Sequence, residues 1–290
     1  MVNALPLHVV SFSELNTFRT CPHRWDLTYR QNWVVPEKPD ARSRGKLWHV
    51  VMREHYKSIK NGVPAEDIVT YIKREHLYTE SGEQTEEQEL VEWMYDGYFE
   101  CWREEDKRWK IVAVEQRVEV PLPPYKDGKA QFVLKGFIDL VLADEKDRVW
   151  VVDHKTGRNF PTELMLGLND QFGLYCWAWR LVPGGPWVHG VMHNHARTQR
   201  NKGPMELDNR FQRYLTYRTD EELEKVATEA WQTANRAYAL GPDEAERTPD
   251  ADKCRWCDYR EPCLAGRKGV DEDQYLRDLG CVQLAERIRH

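Results

Sequence analysis

Asp139, Asp153 and Lys155 are the residues of this chain whose types and spacing could do chemistry together. They stand in the stretch Gly136–Gly157, which reads G-F-I-D-L-V-L-A-D-E-K-D-R-V-W-V-V-D-H-K-T-G. Asp153 and Lys155 are two apart, so on a strand both side chains leave the same face, about 6.7 Å apart. Asp139, on a neighbouring strand, can reach that face. Two carboxylates and an ammonium at one strand end can hold a divalent metal and orient water. The same residue types also make surface ion pairs, which are common and weak. The choice between the two readings rests on what surrounds these residues.

The elements that must position them are legible from periodicity. Residues 132–142 alternate with a period of two, Asp144 to Arg148 is a charged turn, and Val149 to Val152 opens a second strand. Ile111 to Val120 reads as an earlier strand, with Val112, Val114, Val118 and Val120 on one face and Glu115 on the other. A Lys-Asp-Gly turn at 126–128 precedes the central pair. A helix over 163–181 follows that pair, then a strand from Trp187 to Asn194, most simply a parallel crossover. Gln171 and Tyr175 lie four apart on that helix, where amide and phenol can hydrogen-bond a phosphate or the catalytic groups. A helix from Ser43 carries His49 one turn after Gly45, a residue whose missing side chain permits close approach.

Ser11 or Ser13 caps a short helix that stops at Cys21-Pro22. Residues 61–110 read as a helical insertion with no chemistry of its own. Residues 195–218 are irregular and basic, a loop or hairpin. Thr219 or Asp220 caps a further helix that ends by Gly241-Pro242, and a last short helix is expected to end in Arg287 to His290. The segments are therefore 1–42 at the N-terminus, a core helix at 43–60, the insertion at 61–110, sheet and helix at 111–195, and basic loop, helix and cysteine region at 196–290, within one domain. The fold class is α/β, with a core of helix, three strands, helix and strand.

Net charge is −6, but residues 80–106 hold eleven acids against one Arg, which leaves the rest of the chain net positive. Arg197, Arg200, Lys202, Arg210, Arg213 and Arg218 face only Glu206 and Asp208 in the segment 195–218. Such zones suit a phosphate backbone better than the total does, although a solvated face has the same composition. No apolar run reaches membrane-spanning length and no signal peptide is visible, so a cytoplasmic protein is expected.

Seven cysteines in a reducing compartment argue against a disulfide framework and for metal binding by a subset. Cys254, Cys257 and Cys263 form C-x2-C-x5-C, and Cys21 is the best fourth ligand. Zinc sites more often pair two C-x2-C knuckles, whereas one cysteine joined to a compact triplet fits an iron–sulfur cluster, which would staple the two ends of the chain. Cys101, Cys176 and Cys281 lie in helical patterns as ordinary buried residues.

These motifs resemble, in order, the RecB-like branch of the PD-(D/E)XK nucleases, and within it the iron–sulfur exonucleases that include CRISPR-associated enzymes and the AddB nuclease domain. The resemblance covers about residues 11–265. Gly45 and His49 look like its G-x3-H motif, Asp139 its G-x-I-D aspartate, Asp153 and Lys155 its D-Y-K-T-G, and Gln171 with Tyr175 its Q-x3-Y. His154 replaces the usual Tyr, on the side away from the site. Cys21, Cys254, Cys257 and Cys263 match the one-plus-three cysteine pattern.

The resemblance implies an α-β-β-β-α-β mixed sheet with a helical insertion and an iron–sulfur-stapled terminal region. It implies an exonuclease for single-stranded DNA ends that uses Mg²⁺ or Mn²⁺ held by His49, Asp139, Asp153 and the His154 carbonyl. Lys155 would handle the attacking water, Gln171 and Tyr175 the strand, and Arg197, Arg200, Lys202, Arg210 and Arg213 the phosphates. Glu115 is an accessory acid in some relatives, and a solvent-facing strand Glu is the alternative. The cluster is expected to be 4Fe-4S. Two other readings are a nuclease that trims or nicks DNA beside CRISPR-adaptation or phage recombination proteins, and a non-catalytic subunit that binds DNA ends. No G-x4-G-K-[ST] phosphate loop is present, so ATP-driven strand separation is not expected.

Overall fold

The computed structural model describes residues 7–36, 41–79, 81–123, 131–185, 187–200, 206–241 and 243–285. In chain order it begins with strand β1 (His8–Val10), helices α1 (Phe12–Thr20) and α2 (Pro22–Trp25), and strand β2 (Trp33–Val34). Helices α3 (Ala41–Lys60), α4 (Ala65–Ile72) and α5 (Glu86–Asp106) follow. Strands β3 (Lys110–Pro121), β4 (Phe132–Ala143) and β5 (Val149–Gly157) lead to helices α6 (Glu163–Gly167) and α7 (Asp170–Arg180). Strands β6 (Val188–Arg197) and β7 (Phe211–Thr216) precede helices α8 (Asp220–Ala239), α9 (Ala251–Arg255), α10 (Arg260–Gly266) and α11 (Glu272–Asp278), then strand β8 (Val282–Gln283).

The chain divides into two compact units. The larger comprises Pro39–Val118 and Phe137–Val226, and the smaller Met1–Lys38, Glu119–Gly136 and Ala227–His290. In the larger unit the sheet order is β4-β5-β6-β7, and β3 also pairs with β4. Strand β5 runs antiparallel to β4, from Leu140 opposite Val152 to Ala143 opposite Val149. It runs parallel to β6, with Asp153 opposite His193 and Lys155 opposite His195. The parallel pair fits a crossover through α6 and α7, and near-continuous burial of both strands fits their central place. The expected order of helix, three strands, helix and strand is present, with α4 and α5 as the helical insertion.

Two local readings change. The helix expected over 163–181 breaks in two because the Asn169 side chain accepts a hydrogen bond from Gln171 N–H at 3.0 Å and starts α7 afresh. The alternation of β3 reverses phase, with Ile111 and Ala113 buried before Glu115 and Val118 and Val120 after it. The cause is a left-handed backbone at Glu115, φ 50°, which steps the strand by one residue. The hairpin expected as one reading of the basic segment 195–218 is present, since β7 pairs antiparallel with β6 from Val191 opposite Thr216 to Ala196 opposite Phe211.

The insertion packs through an apolar cluster that includes Trp48, Met52, Met94, Tyr95, Trp150 and Phe211. Within it lies one strongly charged centre. Arg213 Nη2 donates to Asp106 Oδ1 at 2.7 Å, and both side chains are almost wholly buried. The guanidinium is stacked between Trp102 and Trp109, at 4.1 and 4.4 Å from their ring centres. Arg210 lies 3.9 Å from the ring centre of Trp93, and a side chain at Gly97 would meet its guanidinium at 2.4 Å, so glycine makes room for it.

In the smaller unit β1 runs parallel to the start of β4, with His8 opposite Phe132. Ser11 caps α1 by accepting from Glu14 N–H at 3.2 Å, and α1 ends before Cys21 as expected. The buried Glu14 carboxylate accepts from Trp25 Nε1 at 3.2 Å and Tyr238 OH at 3.0 Å, which ties α8 to the N-terminal helices. Helix α11 stops at Asp278, and β8 pairs antiparallel with β2. The expected Lys-Asp-Gly turn, Pro242 and residues 286–290 lie outside the described residues.

Asp106 and Arg213 set up a stability test. Asp106→Ala would leave a buried guanidinium without its closest carboxylate, and should cost about 3–5 kcal/mol. Glu104→Ala, which removes exposed pairs with Lys107 and Arg103, should cost well under about 1 kcal/mol. Equal urea midpoints for the two variants would show that the buried pair contributes little.

Candidate active site

Asp139 and Asp153 stand one residue beyond the last paired residues of the β4–β5 ladder, Leu140 and Val152. The Asp139 carboxylate takes over there as acceptor, and its Oδ2 receives the His154 N–H at 3.0 Å. The same oxygen lies 3.2 Å from His49 Nδ1 on α3. Across the face, Lys155 Nζ donates to Asp153 Oδ1 at 2.9 Å. The other Asp153 oxygen, Oδ2, is buried and has no hydrogen-bond partner. Burial with such an orphan costs free energy unless the group is neutral or meets a ligand. Gln171 and Tyr175 are hydrogen-bonded to each other, and the phenol is close enough to feel the charges of Asp153, Asp139 and Lys155. The structure thus brings His49, Asp139, Asp153, Lys155, Gln171 and Tyr175 to one place.

The two carboxylates titrate apart. Burial would raise Asp139, but the His49 bond and charge and the His154 N–H hold it down to about 2. Burial pushes Asp153 up; Lys155 opposes and the Asp139 charge adds, leaving it at about 6. Burial would lower Lys155 and His49, yet the neighbouring carboxylates raise both. Glu115 is half-buried and raised by burial and by the Asp139 charge, which puts its carboxyl at the edge of this group. His154 points the other way: its ring is buried, stacked on Tyr56 at 5.5 Å, with Nδ1 3.0 Å from Asn194 Nδ2. A Cβ at Gly45 would meet nothing nearer than Thr156 Oγ1 at 3.9 Å, so internal packing does not require glycine there.

The basic side chains lie differently from a free phosphate track. Arg213 is buried in the ion pair with Asp106, a placement that does not suit contact with phosphate. Arg210 donates to Trp93 O at 2.6 Å and Arg200 to Glu89 O at 2.5 Å, so both hold the acidic helix α5. Arg197 stacks on Phe160 at 4.4 Å. Lys202 lies outside the described residues. Local charge counting could not separate cations aimed at solvent from cations that pair with the acids of residues 80–106. Sequence reading also passed over His193 and His195. Their H-x-H-x-R alternation with Arg197 on β6 was the available signal, since period two puts all three on one face.

In the smaller unit Cys21, Cys254, Cys257 and Cys263 are free thiols that line one cavity of about 350 Å³. The same cavity is lined by Arg24, Arg247, Lys253, Arg255, Arg260 and Arg267, with no carboxylate among its lining residues. Burial raises the Cys257 and Cys263 thiols, with the Arg24 charge opposing at Cys257 and the Arg247 hydrogen bond and charge opposing at Cys263. Among the described residues, the metal-competent group with donor atoms all within 4.8 Å of one another is His23, Cys263 and Glu272, not the four thiols. The thiols are thus spread wider than the about 3.8 Å sulfur separation of one tetrahedral zinc. Cys176 and Cys281 are buried, and Cys101 is partly exposed. No helix among the described residues is long and apolar enough to cross a membrane.

Comparison with known proteins follows the same lines. The sequence matches the PD-(D/E)XK nuclease superfamily over residues 9–264. A search of curated proteins returns no match. Among solved structures, a "putative exonuclease" from Eubacterium rectale shares the fold at 14% identity and TM-score 0.50, with 86% of this chain and 87% of that one covered. The structure of SSO0001 aligns over 89% of this chain and 86% of that one at 11% identity, and its TM-score of 0.41 is too low to argue from. With the family matched across most of its length and a mixed α/β sheet carrying an Asp-x-Lys strand, the chain belongs to the PD-(D/E)XK nuclease superfamily.

Proposed function

We propose that the chain is a metal-dependent deoxyribonuclease that acts as an exonuclease on single-stranded DNA ends and carries a structural iron–sulfur cluster. The observation that carries the nuclease reading is the buried, unpartnered Asp153 Oδ2 beside a strongly acidic Asp139. A carboxylate oxygen without a donor, next to a second carboxylate and an imidazole, fits Mg²⁺ or Mn²⁺ better than it fits a closed ion pair. His49, Asp139, Asp153 and the His154 carbonyl would hold the ion. The chemistry such an ion supplies is polarisation of the phosphoryl group and a more acidic bound water. Lys155 orients the attacking water and offsets charge on the phosphoryl oxygens, since its ammonium stays protonated beside Asp153. Gln171 and Tyr175 offer amide and phenol hydrogen bonds to the strand. Glu115 lies near enough to Asp139 to serve as an accessory acid.

The thiol cavity supports the cluster. Its volume and its six lining cations suit a polynuclear anionic centre held by thiolates. A 4Fe-4S cluster there would join α9 and α10 to the end of α1, within the smaller unit.

Three measurements test these assignments. A Mn²⁺-dependent time course on end-labelled and circular single-stranded DNA should show loss of the linear strand from its ends and survival of the circle. Asp139→Ala, Asp153→Ala and Lys155→Ala should each lower that rate by at least about 10³-fold, with no further loss in a double variant; a robust Asp153→Ala enzyme would sink the site. Asp153 must also lose its proton before it can ligate. Its carboxyl is pushed up to about 6, and the His49 imidazole, raised by Asp139, must also be neutral to ligate, so Mn²⁺ affinity by calorimetry should fall as pH drops through neutrality and by more than about tenfold per unit below about pH 6. Affinity unchanged down to pH 5 would remove Asp153 from the ligands. Finally, protein purified without oxygen should be brown, with iron and sulfide in near-equal amounts. Cys254→Ala, Cys257→Ala or Cys263→Ala should bleach it, while Cys101→Ala and Cys281→Ala should not. A colourless protein with stoichiometric zinc would overturn the cluster.

A further inference from the structure

Strand β6 lies beside the Asp-x-Lys strand in parallel register, so its alternate residues share the candidate active face. Asp153 is opposite His193, Lys155 opposite His195, and Gly157 opposite Arg197. The two histidines differ in how their rings are used. His193 is fully buried, packs edge-on against Phe172 at 4.3 Å, and engages Thr216 Oγ1 through Nε2 at 2.8 Å. It has a structural partner. His195 is half-buried, sits with its ring 6.0 Å from that of Tyr214, and its buried Nε2 has no hydrogen-bond partner. Burial and the nearby Lys155 charge push its imidazole down to about 4, so the ring is neutral and offers one N–H and one lone pair. A neutral ring beside an ammonium is not repelled from that position. Further along the same face, Arg197 is held by Phe160 and its Nε is likewise buried without a partner. Two adjacent buried nitrogens without partners continue the line of Lys155, and with hydrogen on Nε2 both are donors suited to an anion with several acceptor oxygens. A phosphodiester has that chemistry.

We infer that His195 is a further catalytic residue: its Nε2–H donates a hydrogen bond to a non-bridging oxygen of the scissile phosphate, between Lys155 and the Arg197 contact to the neighbouring phosphate. No proton is transferred; the bond strengthens as charge builds on that oxygen in the transition state. This rests on the nuclease reading above. The imidazole acts without carrying charge, so it adds little to the affinity for DNA and acts on the rate.

The test uses the full-length protein, Mn²⁺ and 5′-labelled single-stranded DNA under single-turnover conditions. His195→Ala should cleave about 10²- to 10³-fold more slowly than the wild type, the range for loss of one preorganised donor. Its melting temperature, its Mn²⁺ affinity by calorimetry and its DNA affinity by anisotropy in EDTA should stay at wild-type values. His195→Gln, whose amide N–H can stand in for Nε2–H, should recover at least about tenfold of the loss. Cleavage by His195→Ala within threefold of the wild type overturns the inference, and so does a rate loss that follows lost Mn²⁺ binding or lost stability. A His195→Gln rate no better than His195→Ala also overturns it. A wild-type protein that cleaves nothing refutes the nuclease reading itself, whereas a cleaving wild type with an unaffected His195→Ala refutes only the role of His195.

Discussion

The Asp139 carboxylate is the constraint on which the larger unit's site depends. It sits one residue past the end of the β4–β5 ladder, where the backbone has lost a regular acceptor, and it supplies that acceptor to His154 N–H. The same oxygen engages His49, so one charge ties helix α3, strand β4 and strand β5. A buried carboxylate survives only with such partners. Its own negative charge then acts on its neighbours, raising Asp153, Lys155, Glu115 and Tyr175 together. The opposed titration of the two aspartates follows from this arrangement: one is given donors, and the other is given burial and a like charge.

Charge in the rest of the larger unit is managed by the same rule. Residues 80–106 carry eleven acids, and the basic segment after β6 supplies cations to this helix. Arg213 goes inside to Asp106, and Arg200 and Arg210 hydrogen-bond backbone carbonyls of α5 and stack on Trp93. Tyr56 and Tyr98 also engage Asp106 or Arg213, and Tyr98 reaches Asn194, whose amide meets the His154 ring. The insertion is therefore connected by buried polar contacts to the residue whose main chain holds Asp139. Such a network, fully packed by tryptophans, fixes one arrangement of the strand end.

The smaller unit solves a different problem. Its helices α9, α10 and α11 have five, seven and seven residues, too short to be stable by local hydrogen bonding alone. They gather around an apolar cluster of Leu27, Trp33, Tyr259, Leu276 and Cys281 and around the cation-rich thiol cavity. A metal centre would supply there the cross-links that so little apolar surface cannot, which is the logic of metal-stapled small folds.

What the sequence by itself determined was the set of elements and the spacing of the chemistry. Period-two alternation placed Asp139, Asp153 and Lys155 on strand ends, and four-residue spacings placed Gly45 with His49 and Gln171 with Tyr175 on helix faces, because these periods are properties of the backbone. Tertiary structure decided the rest. The left-handed turn at Glu115 and the capping of α7 by Asn169 are single-residue events that no periodicity records. Which arginines face inward depends on acids more than a hundred residues away, as Arg213 and Asp106 illustrate. The company of His195 with Lys155 came from the parallel register of two strands separated by two helices, and a sequence states no register across such a crossover. Local geometry is written in neighbouring residues, whereas pairing, burial and charge partnership are settled only when distant segments meet.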